Sequence, residues 1–203
     1  MRATLLGRIS SALPSIAVAL AALPLAVACG GGATTTPAAT TPTSPGAPHP
    51  AGMPDHPASD KVTWKKDSSP KSCHTGNKGD GDRVASVTAM AKGCIDSAKM
   101  HQVGAPTQGE NSGAPGKMEA SIPLKAQANH CYRFFGIAEA AVTDFDIAVM
   151  DSAGKSCGED STDGNDALVL EDGNICFKVD DDVSVNIAVA SGAGKWAVEI
   201  WSD

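Results

Sequence analysis

The stretch SVNIAVASGAGKWAVEIW, residues 184–201, decides the fold. Val185, Ile187 and Val189 alternate with Ser184, Asn186 and Ala188, and Val183 extends the pattern. After a Gly-containing turn, Trp196, Val198 and Ile200 repeat it. A side-chain period of two belongs to a strand with one buried face. The same period appears upstream in Met118, Ala120, Ile122 and Leu124, and in Phe145, Ile147 and Val149 between Asp144, Asp146 and Ala148. CYRFFGI (131–137) is aromatic and strand-like. Two short apolar runs, 167–170 and 175–179, flank Glu171-Asp172-Gly173-Asn174, and an Asp-Gly pair there predicts a hairpin. Seven short strands separated by turn residues predict a mainly β, antiparallel sandwich over residues 117–203.

Before that point the period lengthens. Val84, Val87, Met90, Ala91, Cys94, Ile95 and Ala98 fall three and four residues apart. They predict one N-terminal helix, capped by Asp82 or Ser86 and running to about Met100. HQVGAPTQGENSGAPG (101–116) reads as a long polar loop. Residues 59–116 are thus expected to be a helical and loop segment packed on the sandwich.

The strands HCYRFFGI (130–137), DFDIAVMDSAGK (144–155) and SVNIAVASGAGKWAVEIW (184–201) together resemble the bacterial pre-peptidase C-terminal domain. Tyr132 and Phe134 match its Tyr-x-Phe strand. Asp144, Asp146, Asp151 and Gly154 match its Asp-x-Asp strand and Asp-x-x-Gly turn. Trp196, Val198 and Ile200 match its last strand. The resemblance covers residues 118–203 and implies a jelly-roll-like β-sandwich that serves as a binding or accessory module, usually beside a secreted hydrolase. Such a module has no catalytic residues, so none is carried over here.

The N-terminus supplies an address. Arg2 and Arg8 precede the uncharged run Ile9–Ala28, which Pro14 and Pro24 interrupt. A positive start, an apolar centre and small residues at the end read as a signal peptide over 1–28, with a membrane-spanning helix as the alternative. Leu25-Ala26-Val27-Ala28-Cys29-Gly30 resembles the lipobox of bacterial lipoproteins. That resemblance implies acylation of Cys29, and Gly30 in place of Asp implies the outer membrane. An ordinary Ala-x-Ala cleavage site at 26–28, with secretion or periplasmic release, is the alternative. Residues 29–58 are nearly all Gly, Ala, Thr, Pro, Ser and His. Such a stretch buries too little to offset the entropy of ordering and predicts a disordered tether.

Charge narrows the classes of function. The chain of 203 residues carries a net −7. It has no basic stripe, which excludes a nucleic-acid binder. Residues 59–138 hold 11 Lys/Arg and 7 Asp/Glu; residues 139–203 hold 3 Lys and 15 Asp/Glu. The basic part is expected to lie on the acidic part. Asp144 and Asp146 share one strand face, opposite Phe145, Ile147 and Val149. Both carboxylates are therefore expected outward or at the rim, relieved mainly by lysines and backbone N–H groups.

Six cysteines in a secreted chain imply disulfides. Cys73 with Cys94, and Cys157 with Cys176, each close a loop of about 20 residues. That leaves Cys131 as the free, buried thiol; Cys131 with Cys176 is the competing pairing. Cys73-His74 and His130-Cys131 are the adjacent thiol–imidazole pairs, but strand neighbours point to opposite faces. Pro70 stands where a covalent haem motif needs a second Cys, and zinc spacing is absent. Neither a cofactor nor a metal site is assigned. The oxygen-rich run 159–166 makes calcium a second hypothesis, although it lacks the ligand alternation of an EF-hand.

The expectation is a non-enzymatic binding or structural lipoprotein of the envelope. It would be held at the membrane by its lipid, with an envelope protein or polysaccharide as partner. A secreted hydrolase-accessory or thiol-active protein, or a calcium-binding module, is the alternative.

Overall fold

The computed structural model describes residues 56–66, 72–74, 79, 81–96, 98–111, 113, 117–160 and 162–203. The expected signal peptide, Cys29 and the tether up to residue 55 lie outside the described residues.

Two antiparallel sheets face each other. The chain order is β1 (Val62–Lys66), α1 (Arg83–Cys94), β2 (His101–Gln102), β3 (Thr107–Asn111), β4 (Lys117–Ala126), β5 (Cys131–Ala138), β6 (Val142–Met150), β7 (Ser156–Glu159), β8 (Asp166–Leu168), β9 (Gly173–Phe177), β10 (Asp181–Gly192) and β11 (Gly194–Ser202). One sheet has seven strands in the order β1-β9-β5-β11-β2, with β3 also on β11 and β8 also on β5. The other has four, β4-β10-β6-β7.

Alternating residues meet across the register as their period requires. Val185 pairs with Ile122 on one side and Val149 on the other, and Ile187 pairs with Ile147. Opposite them, Val198 pairs with Gly136 and Ile200 with Phe134. These side chains form the inter-sheet core with Tyr132, Phe145, Phe177 and Trp196. Each such burial is worth roughly 1.5–3 kcal/mol. Gly136 sets the closest approach of the sheets, because a Cβ there would stand 2.5 Å from the Phe145 ring.

All of β5 is buried, because both of its faces are covered. Tyr132, Phe134 and Ala138 face the other sheet. Phe135 and Ile137 lie beneath α1 with Ala197 and Trp201, against Val87, Met90, Ala91 and Cys94 of the helix. The Asp82 carboxylate accepts from the Val84 and Ala85 amides at 3.0 and 3.2 Å, the expected cap. The helix stops at Cys94, six residues short of the expected end. Arg133, fully buried, donates to the Cys94 carbonyl at 2.8 Å and to the Glu171 carbonyl at 3.3 Å. Buried Glu199 accepts from Thr88 Oγ1 on the helix and from Trp201 Nε1 at 2.9 Å. Charged residues on β5 and β11 thus bind the helix to the sheet.

Three local expectations are corrected. The polar loop 101–116 contains β2 and β3, which pair along β11; His101-Gln102 and Thr107–Asn111 contribute backbone hydrogen bonds instead of an apolar face. The Asp-Gly hairpin is absent. β8 and β9 both run antiparallel to β5, at Phe135–Ile137 and at Cys131–Tyr132, so they are one strand interrupted by 169–172. The excursion is closed by the Gly173 amide donating to the Leu170 carbonyl, with Leu170 at φ 56. At the N-terminal side, ordered pairing begins before residue 59: the Ser156 amide donates to the Pro57 carbonyl, and the Ser59 amide to the Ser156 carbonyl.

The resemblance residues Asp151 and Gly154 build a turn. Asp151 Oδ1 accepts from the Ala153 and Lys155 amides at 2.8 and 2.9 Å, and Gly154 takes φ 74. Burial works to raise this carboxyl, but those amides and the Ser59 hydroxyl outweigh it and hold it below its ordinary value.

Candidate functional site

At one end of the sandwich three turns surround a groove of about 670 Å³. Lys125 and Ala126 end β4, Gln127, Ala128 and His130 form the turn into β5, Ser152 stands between β6 and β7, and Asp180–Asp182 lead into β10. The turn before β5 uses Asn129 at φ 66, a left-handed conformation that Asn tolerates. Its Gln127 amide donates to the Tyr132 hydroxyl at 3.0 Å, and the Ala128 amide to Asp180 Oδ1 at 2.7 Å. Local bonds therefore hold the groove's wall in place.

Asp181 is the anchor of the groove. It accepts from Lys61 Nζ at 2.9 Å and from the Ser152 amide at 3.2 Å, and Lys61 Nζ also donates to Ser152 Oγ at 2.7 Å. Burial pushes the Asp181 carboxyl up, but the bonds from Ser152 and Lys61 together hold it below its ordinary value. The Asp181 hydrogen bond raises Lys61 in turn. Lys125 Nζ and Asp182 Oδ1, 3.0 Å apart, are both exposed at the rim. The sequence reading missed this site. Its one signal was the Asp180-Asp181-Asp182 run between two strand patterns.

The basic half does lie on the acidic half. Lys61–Asp181, Lys66–Asp172, Arg83–Glu139 and Lys125–Asp182 all cross between residues 59–138 and 139–203. Among the described residues Asp144 and Asp146 gain no such pair. Asp146 is 2% exposed and its Oδ2 has no hydrogen-bond partner among the described residues. Burial first, then the carboxylates of Asp144, Asp160, Asp163 and Glu159, push its carboxyl up to about 8. Burial and Asp163 raise Asp144 as well. The expected relief by lysines and backbone amides is therefore corrected for this strand. β10 fills the space beside Asp146 with Ala188, which carries no donor side chain. Among the described residues no three His, Cys, Asp or Glu side chains are grouped to hold a metal ion.

The cysteines are arranged differently from what loop length predicts. Cys73 is joined to Cys94. Cys157 is not joined to Cys176; among the described residues it is the free thiol, and Cys131 is joined to Cys176. The reason is register. Cys131 and Cys176 stand directly opposite each other on β5 and β9, whereas Cys157 lies on β7 in the other sheet, facing the core. Burial pushes the Cys157 thiol up to about 11. The two thiol–imidazole candidates dissolve accordingly. Cys73 and Cys131 are bonded, His74 Nδ1 lies 2.7 Å from Asp166 Oδ2, and His130 Nδ1 lies 2.6 Å from the Asp203 backbone oxygen.

The fold and these sites define a two-sheet antiparallel β-sandwich with a helix on one face and a polar groove at one end. No family model matches the chain, and no curated protein matches it by sequence. Among solved structures it is similar to a protein described as "Carbohydrate-Binding Module CBM36 in complex with calcium and xylotriose", at 16% identity over 53% of this chain and 95% of that one, with a TM-score of 0.29. The sandwich assignment rests on this chain's own strand pairing. No helix among the described residues is long and apolar enough to cross a membrane.

Proposed function

We propose that the chain is an envelope-anchored, non-catalytic binding module that takes a hydroxyl-rich polysaccharide in the end groove lined by Gln127, His130, Ser152 and Asp180–Asp182, with the Lys125–Asp182 pair at its rim. The single observation that carries this reading is the groove itself. It is open to solvent, its wall is ordered by the Asp180 and Asp181 hydrogen bonds, and it presents carboxylate, ammonium, amide and hydroxyl groups side by side. Such groups exchange hydrogen bonds with sugar hydroxyls, and a wall already ordered loses little freedom on binding. The state of the thiols supports a non-catalytic role, since a nucleophilic cysteine needs an accessible thiolate and Cys157 is buried with its proton held firmly. In this reading the acylated Cys29 and the tether that follows it hold the groove off the outer membrane, in reach of envelope polymers.

The test uses the full chain in a bacterial host. Detergent-solubilised protein is sedimented with insoluble envelope and plant polysaccharides. Retention on at least one is expected, with Gln127→Ala and Asp182→Ala each weakening it about tenfold, as loss of a good hydrogen bond does. Retention untouched by both substitutions sinks the groove as the site. Intact mass of the membrane-pelleted protein, with Cys29→Ala alongside, tests the anchor separately: an unmodified Cys29 removes the lipid from this reading.

A further inference from the structure

The edge of the four-stranded sheet holds a carboxyl group that the groove does not use. Asp146 lies on β6, buried, with Oδ2 unpartnered among the described residues. The chain that leaves β7 runs along this strand. Glu159 pairs with Ala148, the Asp160 amide donates to the Ile147 carbonyl at 2.9 Å, and the Phe145 amide donates to the Gly164 carbonyl at 2.8 Å. Asn165 then joins the other sheet: its side-chain amide donates to the Ala138 carbonyl, and its own carbonyl accepts from the Ala138 amide. This edge segment therefore presses Glu159, Asp160 and Asp163 toward β6, where Asp144 and Asp146 already stand. From the other flank β10 supplies Ala188 opposite Asp146. After burial, the groups acting most strongly on Asp146 are all carboxylates.

A buried carboxylate in that company is strongly unfavourable, and a buried neutral carboxyl much less so. We propose that Asp146 is a proton-operated latch: while it carries its proton the edge segment, Glu159–Asp160 and Thr162–Asp166, stays seated on β6, and loss of that proton drives the segment off. Opening restores water to the carboxyl and separates it from Glu159, Asp160 and Asp163. The sign follows from where the proton binds. The seated state holds it to about pH 8, whereas the opened state releases it near the ordinary value of 3.8. Between those limits opening releases one proton, so the opened fraction grows about tenfold per pH unit. Above about pH 8 both states are ionised and the growth stops.

Hydrogen exchange of the full chain reads this out at the Phe145, Asp160 and Ala138 amides, whose acceptors or hosts belong to the segment. After correction for the intrinsic rise of exchange with pH, their opening is expected to increase about tenfold per unit from about pH 5 to 7.5 and then level off. Asp146→Asn, isosteric and neutral, is expected to remove the slope. Asp163→Asn, which leaves Asp146 in place, is expected to keep the slope and end it at lower pH. A flat wild-type profile overturns the proposal, as does a slope that survives Asp146→Asn. So does protection of these amides at pH 8 by millimolar calcium, reversed by chelator and abolished in Asp146→Asn, because the partner of Asp146 would then be a cation. Should Asp146→Asn fail to fold, the wild-type and Asp163→Asn profiles decide alone.

Discussion

Two clusters of carboxylates stand at different places in the sandwich, and their chemistry is opposite. At the end of the sandwich, Asp180–Asp182 meet Lys61, Lys125 and backbone amides, and Asp181 is held below its ordinary value. At the edge of β6, Asp146 meets four other carboxylates and is pushed up to about 8. Depth separates them in part, since Asp146 is buried and burial is the largest cause of its rise, whereas Asp181 is half-buried. The sign of the neighbours separates them further. A lysine from β1's approach reaches Asp181, while Asp146 is bordered by Ala188 of β10 and by an acidic segment.

The sharpest break of this contrast is expected at Asp146. Its protonated form is stable when buried, so that contribution is complete below about pH 4 and is lost as pH rises toward 8. Asp146→Asn should therefore leave stability unchanged near pH 4 and raise it by roughly 2–4 kcal/mol at pH 8. Denaturant titrations at both values check this, and an equal gain at both would remove the titration argument. Asp181 runs the other way. Its stabilisation is present above the ordinary carboxylate range and disappears as pH falls through its lowered value. Lys61→Met should lower stability at pH 7, because Asp181 is left without its cation, and progressively less below about pH 4. A cost that stays constant into acid would show that Lys61 acts by packing. The smallest effect is expected at the groove rim. Lys125→Ala should change stability by no more than about 0.5 kcal/mol, since exposed pairs contribute little, and moderate salt should mask even that.

What could be read beforehand followed the apolar period. β4, β5, β6, β10 and β11 announce themselves because one face of each must be apolar to form the core. β2 and β3 do not, because a pair such as His101-Gln102 belongs to the sheet through its backbone alone. The interruption between β8 and β9 looked like a hairpin because Asp172-Gly173 suits a reversal; only pairing with β5 shows that the chain resumes its direction. The cysteine pairing failed for a related reason. Loop length ranks pairs by distance along the chain, whereas register decides which residues stand opposite, and Cys131 and Cys176 do. At β6 alternation made legible that Asp144 and Asp146 share the face opposite Phe145, Ile147 and Val149, but not that Asp146 is buried there rather than outward, because that depends on which segments lie next in space. Arg133 and Glu199 were hidden by their own chemistry: charge in a strand suggests solvent, and here a helix covers it.

The position of Cys157 has a consequence for how the molecule reaches its oxidised form. Thiol–disulfide exchange needs an accessible thiolate. In the finished sandwich this sulfur is enclosed, keeps its proton, and lies in the sheet that holds neither bridge. It cannot rearrange Cys73–Cys94 or Cys131–Cys176 from there. Before the sheets close, the same sulfur is an ordinary competitor for Cys176. Once β7 joins β6 and turns its cysteine inward, that competition ends and the Cys131–Cys176 pairing is kept. Once that has happened, the inter-sheet core acts as a lock on the covalent isomer, and an incorrectly bridged chain can be repaired only by opening it.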